Sequence, residues 1–214
     1  MKSIASSVLL LLAAALTACG APTASRTQTV FGADQRHLLT DAPLWRSLGR
    51  VEPHAPGVRP EADPVASSWC TGTLVAPNLV LTAAHCVVDP ARAGATSKTL
   101  WFRPGARQGK TVPSVAATYV WWGTVDPDND RGNDWGLLKL EHPLSDLTPI
   151  PVHPQSDSVA FLTPLSLVGY SQDFEGGASP SVHDGCRVLR TDFASGAFHH
   201  DCDMNPGASG GPPP

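Results

Sequence analysis

Proline and glycine punctuate this chain so often that long helices have no room to form. There are 21 prolines and 19 glycines in 214 residues. Proline removes a backbone donor and clashes with the preceding helical turn, and glycine weakens any helix interior. Beyond the apolar N-terminus, no window longer than about a dozen residues keeps a 3.6-residue apolar period. What remains is a series of short β-prone runs separated by turn signals. Thr73–Val75 and Leu79–Thr82 flank the turn Ala76-Pro77-Asn78. Thr99–Phe102, Ser114–Trp122, Trp135–Leu140, Phe161–Tyr170 and Cys186–Thr191 follow. The pattern predicts an all-β barrel or sandwich. Residues 31–64 carry several prolines and few strand signals, and they read as an arm lying across the domain.

Hydrophobic residues at 42% and charged residues at 16% suit a packed core rather than a disordered chain. The formal net charge is -4 with no basic block, which argues against nucleic acid as a partner. No repeat of fixed period is present.

The first residues read as a targeting segment. Lys2 precedes the apolar stretch Val8–Leu16, which is too short to span a bilayer and fits a secretion signal. It ends in Leu16-Thr17-Ala18-Cys19, which resembles the lipobox of bacterial lipoproteins. That resemblance implies lipidation of Cys19 and a membrane anchor through its acyl chains. The expected location is the cell envelope, at the outer membrane or cell surface, with ordinary secretion as the alternative. The expected organisation is a signal and lipobox over 1–19, a flexible tether over 20–30, and one domain over 31–214. Cys19 set aside, Cys70, Cys86, Cys186 and Cys202 remain. Four cysteines in an oxidising compartment allow three pairings. The local one, Cys70–Cys86 with Cys186–Cys202, is favoured. Each bridge would close a loop of about 15 residues, for roughly 3 kcal/mol in the chain-entropy model.

Three segments carry chemistry. In Leu81-Thr82-Ala83-Ala84-His85-Cys86 a histidine follows a β-prone run. In Asn133-Asp134-Trp135-Gly136-Leu137 an acid opens an apolar run. In Asn205-Pro206-Gly207-Ala208-Ser209-Gly210-Gly211-Pro212 a serine sits within a glycine-rich loop. Each alone has a plain structural explanation: a core histidine, a turn acid, a loop serine. Together, in the order His, Asp, Ser, they resemble the signature motifs of the trypsin-like serine protease family. Gly32-Ala33-Asp34-Gln35-Arg36 also resembles the bacterial branch related to glutamyl endopeptidases.

The resemblance implies two six-stranded antiparallel β-barrels of the chymotrypsin type and a serine endopeptidase acting on polypeptides. It implies a triad of His85, Asp134 and Ser209, an oxyanion hole from the N–H groups of Gly207 and Ser209, and a monomer using no cofactor or metal. The bridge at Cys86 would brace the histidine loop, and the bridge at Cys202 the serine loop.

The chain departs from the family twice. Family zymogens carry Asp just before the serine, where it receives a new N-terminal amine, but here that position is Ala208. Other contacts are therefore expected to shape the serine loop. Family domains also continue for several strands past the serine, whereas this sequence ends in Pro212-Pro213-Pro214. The second barrel is thus expected to be incomplete, and a catalytically silent binding module is the alternative function. Asp203 lies near the position at which trypsin selects Arg or Lys. His199 and His200 read as solvated loop residues rather than metal ligands. Asp126, Asp128 and Asp130 resemble part of a calcium loop, but the intervening Pro127 and Arg131 argue against one.

Overall fold

The computed structural model describes residues 30–39, 43–60, 68–96, 98–108, 110, 112–153 and 159–212. The apolar N-terminus, Cys19, the tether up to residue 29, Pro213 and Pro214 lie outside the described residues.

Among the described residues the regular elements are strands and short 3-10 turns. In chain order the strands are β1 (His37–Leu38), β2 (Leu48–His54), β3 (Cys70–Ala76), β4 (Leu79–Thr82), β5 (Val88–Asp89) and β6 (Gly94–Ala95). They continue with β7 (Thr99–Pro104), β8 (Val115–Trp122), β9 (Gly136–Leu140), β10 (Pro164–Gly169), β11 (Ser181–Thr191) and β12 (Phe198–His200). The all-β expectation holds.

Six strands close into a barrel in the order β2-β3-β4-β9-β8-β7. Its interior is filled by Val51, Leu74, Val80, Val87, Leu100, Phe102, Val115, Leu138 and Leu140, with Val88 at its margin. Closure leaves none of these six strands at an edge. The second lobe is a four-stranded sheet with β1, β10 and β12 arranged around the long β11. β10 runs along one side of β11. β1 pairs with the start of β11 and β12 with its end. Leu39, Leu48, Val168 and Val182 form a smaller core at the junction of the two lobes.

Two differences from the sequence reading have physical causes. The segment read as an arm contributes β2, a full barrel strand paired to β3 and β7. Its alternation is masked because the face opposite Val51 carries Arg50, Glu52 and His54. That face is nonetheless buried, because Glu52 lies 3.0 Å from both the Arg50 and the Arg103 guanidinium groups. Pro53 lies beyond the β3 ladder, which ends at the Val51–Cys70 pair, so its missing N–H interrupts nothing on that side. β11 also begins five residues earlier than expected, at Ser181. Its register against β10 shifts between Leu165 and Ser166, which face Cys186 and Asp184. Gly185 is the extra residue of this bulge, and its φ of 80° suits glycine.

Candidate active site

β4 ends at Thr82, directly opposite Gly136, the first residue of β9. The chain beyond each end therefore converges on one spot. On one side Ala84–Cys86 makes a single 3-10 turn that presents His85. On the other, Asp134 ends the turn Arg131–Asn133. A side chain at Gly136 would strike Val87 and the carbonyl of Ala83, so glycine lets the histidine turn sit against β9. Asp134 Oδ1 accepts the backbone N–H of His85 at 2.9 Å, and Oδ2 lies 2.8 Å from His85 Nδ1. The carboxylate can only accept, so the Nδ1 proton points to it and Nε2 is left as the basic nitrogen. Cys86 is bridged to Cys70 at the start of β3, and Cys186 to Cys202, as the local pairing expected. Cys70, His85 and Cys86 place three potential ligand atoms together, but both sulfurs belong to the disulfide and neither is a thiolate.

Ser209 lies on the loop after β12. Its carbonyl accepts the N–H of Thr71 at 2.8 Å, which ties the loop to β3. The next residue, Gly210, packs so closely on Thr82 and Ala83 that a Cβ would meet the Thr82 hydroxyl and lie 2.8 Å from the Ala83 nitrogen. The serine loop thus touches the segment leading into His85. Among the described residues no hydrogen bond joins Ser209 Oγ to His85. Such bonds often tighten only when substrate is present.

The backbone around Ser209 is held one peptide at a time. The Pro206 carbonyl accepts the Gln172 N–H at 2.8 Å, the Ala208 N–H donates to the Asn205 carbonyl at 3.1 Å, and the Ala208 carbonyl accepts the Gly211 N–H at 2.9 Å. Among the described residues, the N–H groups of Gly207 and Ser209 donate to nothing. Gly207 has a φ of 101°, and a Cβ there would strike the Tyr170 carbonyl and the Trp69 indole. Glycine is required on both counts.

Thr71 and Trp69 complete the support, and the sequence reading assigned neither. The Thr71 hydroxyl donates to the Gly207 carbonyl at 2.9 Å and accepts the Tyr170 N–H at 3.0 Å. The Thr71 carbonyl accepts the Thr82 hydroxyl at 2.7 Å. Trp69 donates its indole N–H to the Tyr170 carbonyl at 2.8 Å, and the Arg50 guanidinium stacks 4.2 Å from its ring. The only sequence signal was position, directly around Cys70.

Most of the remaining singled-out residues have structural partners. Asp203 is fully buried, and its carboxylate accepts the N–H groups of Phe31 at 2.7 Å and Gln35 at 3.0 Å. It is therefore not presented to an Arg or Lys side chain of a substrate. His199 and His200 belong to strand β12 rather than a loop. His200 Nδ1 accepts the Cys202 N–H, and burial holds its pKa below the usual imidazole value. The Asp126 and Asp130 carboxylates accept the side-chain amides of Asn129 and Asn133. Burial pushes the Tyr170 phenol upward, while its hydroxyl donates to the Ala106 carbonyl at 3.1 Å.

A closed six-stranded barrel facing a second sheet, with a histidine–aspartate pair on the first and a glycine-flanked serine beside the second, defines the chymotrypsin class of fold. A family model described as a trypsin-like peptidase domain matches residues 70–213, well over half of the chain. The chain belongs to the trypsin-like peptidase family. A trypsin from Saccharopolyspora erythraea is 33% identical over 123 residues, covering 53% of this chain and 49% of that protein. The chain thus matches about half of that relative's length. Among solved structures, a Glu endopeptidase in complex with MPD superposes with a TM-score of 0.69 at 21% identity, covering 86% of this chain and 81% of that one. The protease Anisep from Arthrobacter nicotinovorans gives 0.60 at 16% identity, covering 83% and 80%. Human heparin binding protein gives 0.59 at 16% identity, covering 85% and 80%. These similarities establish the fold.

Proposed function

We propose that this chain is a serine endopeptidase that cleaves peptide bonds through an acyl-enzyme, with His85, Asp134 and Ser209 as its triad. The observation that carries the proposal is the pairing of His85 with Asp134 through two hydrogen bonds, opposite a loop where two N–H donors flanking Ala208 have no acceptor among the described residues. Serine is a weak nucleophile near neutral pH and needs a base. Ser209 Oγ attacks the scissile carbonyl carbon as its proton passes to His85 Nε2. The oxyanion that forms is stabilised by the N–H groups of Gly207 and Ser209. The Asp134 carboxylate fixes the tautomer of His85 and stabilises the imidazolium. His85 then gives its proton to the departing amine, which leaves the acyl group on Ser209. Water attacks this ester with His85 again as base, and the carboxylic acid product and free Ser209 result.

The substrate is a polypeptide, and its selectivity does not rest on the Asp203 carboxylate, which is fully buried and accepts two N–H groups of the arm. We place the chain in the cell envelope through an acylated Cys19. Detergent partition of the mature protein, lost in Cys19→Ala, tests that placement. The catalytic proposal is tested by incubating the purified protein with an unfolded polypeptide and analysing products by mass spectrometry. New internal termini that vanish with Ser209→Ala support it, and equal cleavage by the variant overturns it.

A further inference from the structure

Ala208 removes the carboxylate that zymogens of the family use to shape the serine loop. Something else must hold the Pro206–Gly207 peptide, whose N–H is the proposed oxyanion donor. The contacts that do so start on the arm, at Arg36, well before the barrel disulfide begins at Cys70. Arg36 has only 2% of its side chain exposed and grips two carboxylates at once. Its NH1 and NH2 donate to the two oxygens of Asp173 at 2.9 and 2.6 Å. Its Nε and NH2 donate to the two oxygens of Asp34 at 2.9 and 2.7 Å. Two bidentate grips fix a planar group in position and orientation.

Asp173 belongs to the turn in which the Phe174 N–H donates to the Ser171 carbonyl at 3.1 Å. Each preceding residue of that turn holds the serine loop. Asp173 Oδ2 accepts the Asn205 side-chain amide at 2.5 Å. The Gln172 N–H donates to the Pro206 carbonyl at 2.8 Å. The Ser171 hydroxyl oxygen accepts the Asn205 N–H at 3.2 Å. A trans peptide is planar, so its C=O and N–H point in opposite directions. Holding the Pro206 carbonyl against Gln172 therefore keeps the Gly207 N–H from rotating toward it. The same arm is pinned by Asp203 through Phe31 and Gln35.

We infer that Arg36 is a positioning residue for the oxyanion hole: by clamping the 171–174 turn onto the arm, it fixes the Pro206–Gly207 peptide with its N–H available to the substrate oxyanion. The docked arm takes the place of the activation ion pair that Ala208 excludes. This inference rests on the proposed serine-hydrolase chemistry.

The test uses p-nitrophenyl acetate as substrate, with melting temperature and intact disulfides verified for every variant. Arg36→Ala is expected to lower kcat about 100-fold while KM stays within about twofold, because the donor is misplaced but the cleft remains. Arg36→Lys is expected to restore little, since one ammonium cannot make two bidentate contacts. Asp173→Asn, which retains a side chain of the same shape, is expected to fall between them. His37→Ala loosens the arm at β1 without touching the 171–174 turn, and its kcat should stay within about twofold of the parent. A folded Arg36→Ala protein with parental kcat overturns the inference. So does full rescue by lysine, or an equal kcat loss in His37→Ala at matched stability. Should Arg36→Ala fail to fold, Arg36→Lys and Asp173→Asn decide the matter by the same readout. Parental protein with no esterase activity overturns the serine-hydrolase reading instead, so the two failures are distinguishable.

Discussion

The two lobes hold the proposed catalytic groups by different means. His85 and Asp134 emerge from the ends of β4 and β9, adjacent staves of a closed barrel with ten buried apolar side chains in its cluster among the described residues. Strand register brings them together, and the Cys70–Cys86 bridge and the Asp134 hydrogen bonds hold the pair. Ser209 follows a four-stranded sheet whose Val168 and Val182 share a smaller buried apolar cluster with Leu39 and with Leu48 of β2. Here position comes from individual side chains: Thr71, Trp69, Asn205 and the arm. Large apolar groups are also more exposed in this lobe, with Phe161 at 69% and Phe193 at 83%. The proposed general base is placed largely by backbone pairing, whereas the proposed nucleophile depends on polar contacts reaching its loop from the other lobe and from the arm.

The comparison is broken most sharply by cutting each core. Phe102→Ala empties the fully buried centre of the barrel and is expected to cost about 3–5 kcal/mol in urea unfolding. Val182→Ala in the junction cluster removes less and should cost about 1–2 kcal/mol. Equal costs would mean that the second sheet is as tightly packed as the barrel.

Thr71→Val tests the contact between lobes. It keeps the shape but leaves the Gly207 carbonyl and the Tyr170 N–H without their buried partner. The expected loss is about 1–3 kcal/mol, read as a lower melting temperature. Esterase kcat should fall with it, because the hydroxyl holds the peptide after the oxyanion glycine. Unchanged stability would remove Thr71 from the account.

The smallest effect concerns acid. The Arg36 hydrogen bonds are the leading cause holding both Asp34 and Asp173 below the usual carboxylate pKa. A carboxylate with a depressed folded pKa stabilises fully above its unfolded value and loses that contribution as pH falls through the folded one. The clamp should therefore be complete above about pH 4 and weaken below it. Hydrogen exchange across pH 2 to 6 should show the 171–174 turn opening before β4 and β9. Simultaneous opening would deny that the two lobes are held differently.

Much of this was legible in the sequence, in an uneven way. The strands of the barrel appeared where apolar and β-branched residues cluster, as in Leu79–Thr82 and Gly136–Leu140. The motifs around His85, Asp134 and Ser209 carried the family. β2 stayed hidden because the face carrying Arg50 and Glu52 reads as solvent-facing until Arg103, about fifty residues away, neutralises it. The expectation that other contacts shape the serine loop in place of an acid at position 208 named no residue. It could not identify Arg36, because the partner Asp173 is 137 residues distant and only the fold brings them together. Thr71 was invisible for the same reason, since its role depends on a loop 136 residues downstream.

In the proposed enzyme, His85, Asp134 and Ser209 form one working nucleophilic unit across the two lobes. Intact-mass analysis after exposure to a fluorophosphonate measures this directly, because the reagent bonds to a serine oxygen only where a base and an oxyanion site act together. The account predicts one adduct per chain on Ser209, lost in Ser209→Ala and slowed at least about 1,000-fold in His85→Ala. Folded, disulfide-intact protein that takes up no adduct, or takes it up equally without His85, would contradict it.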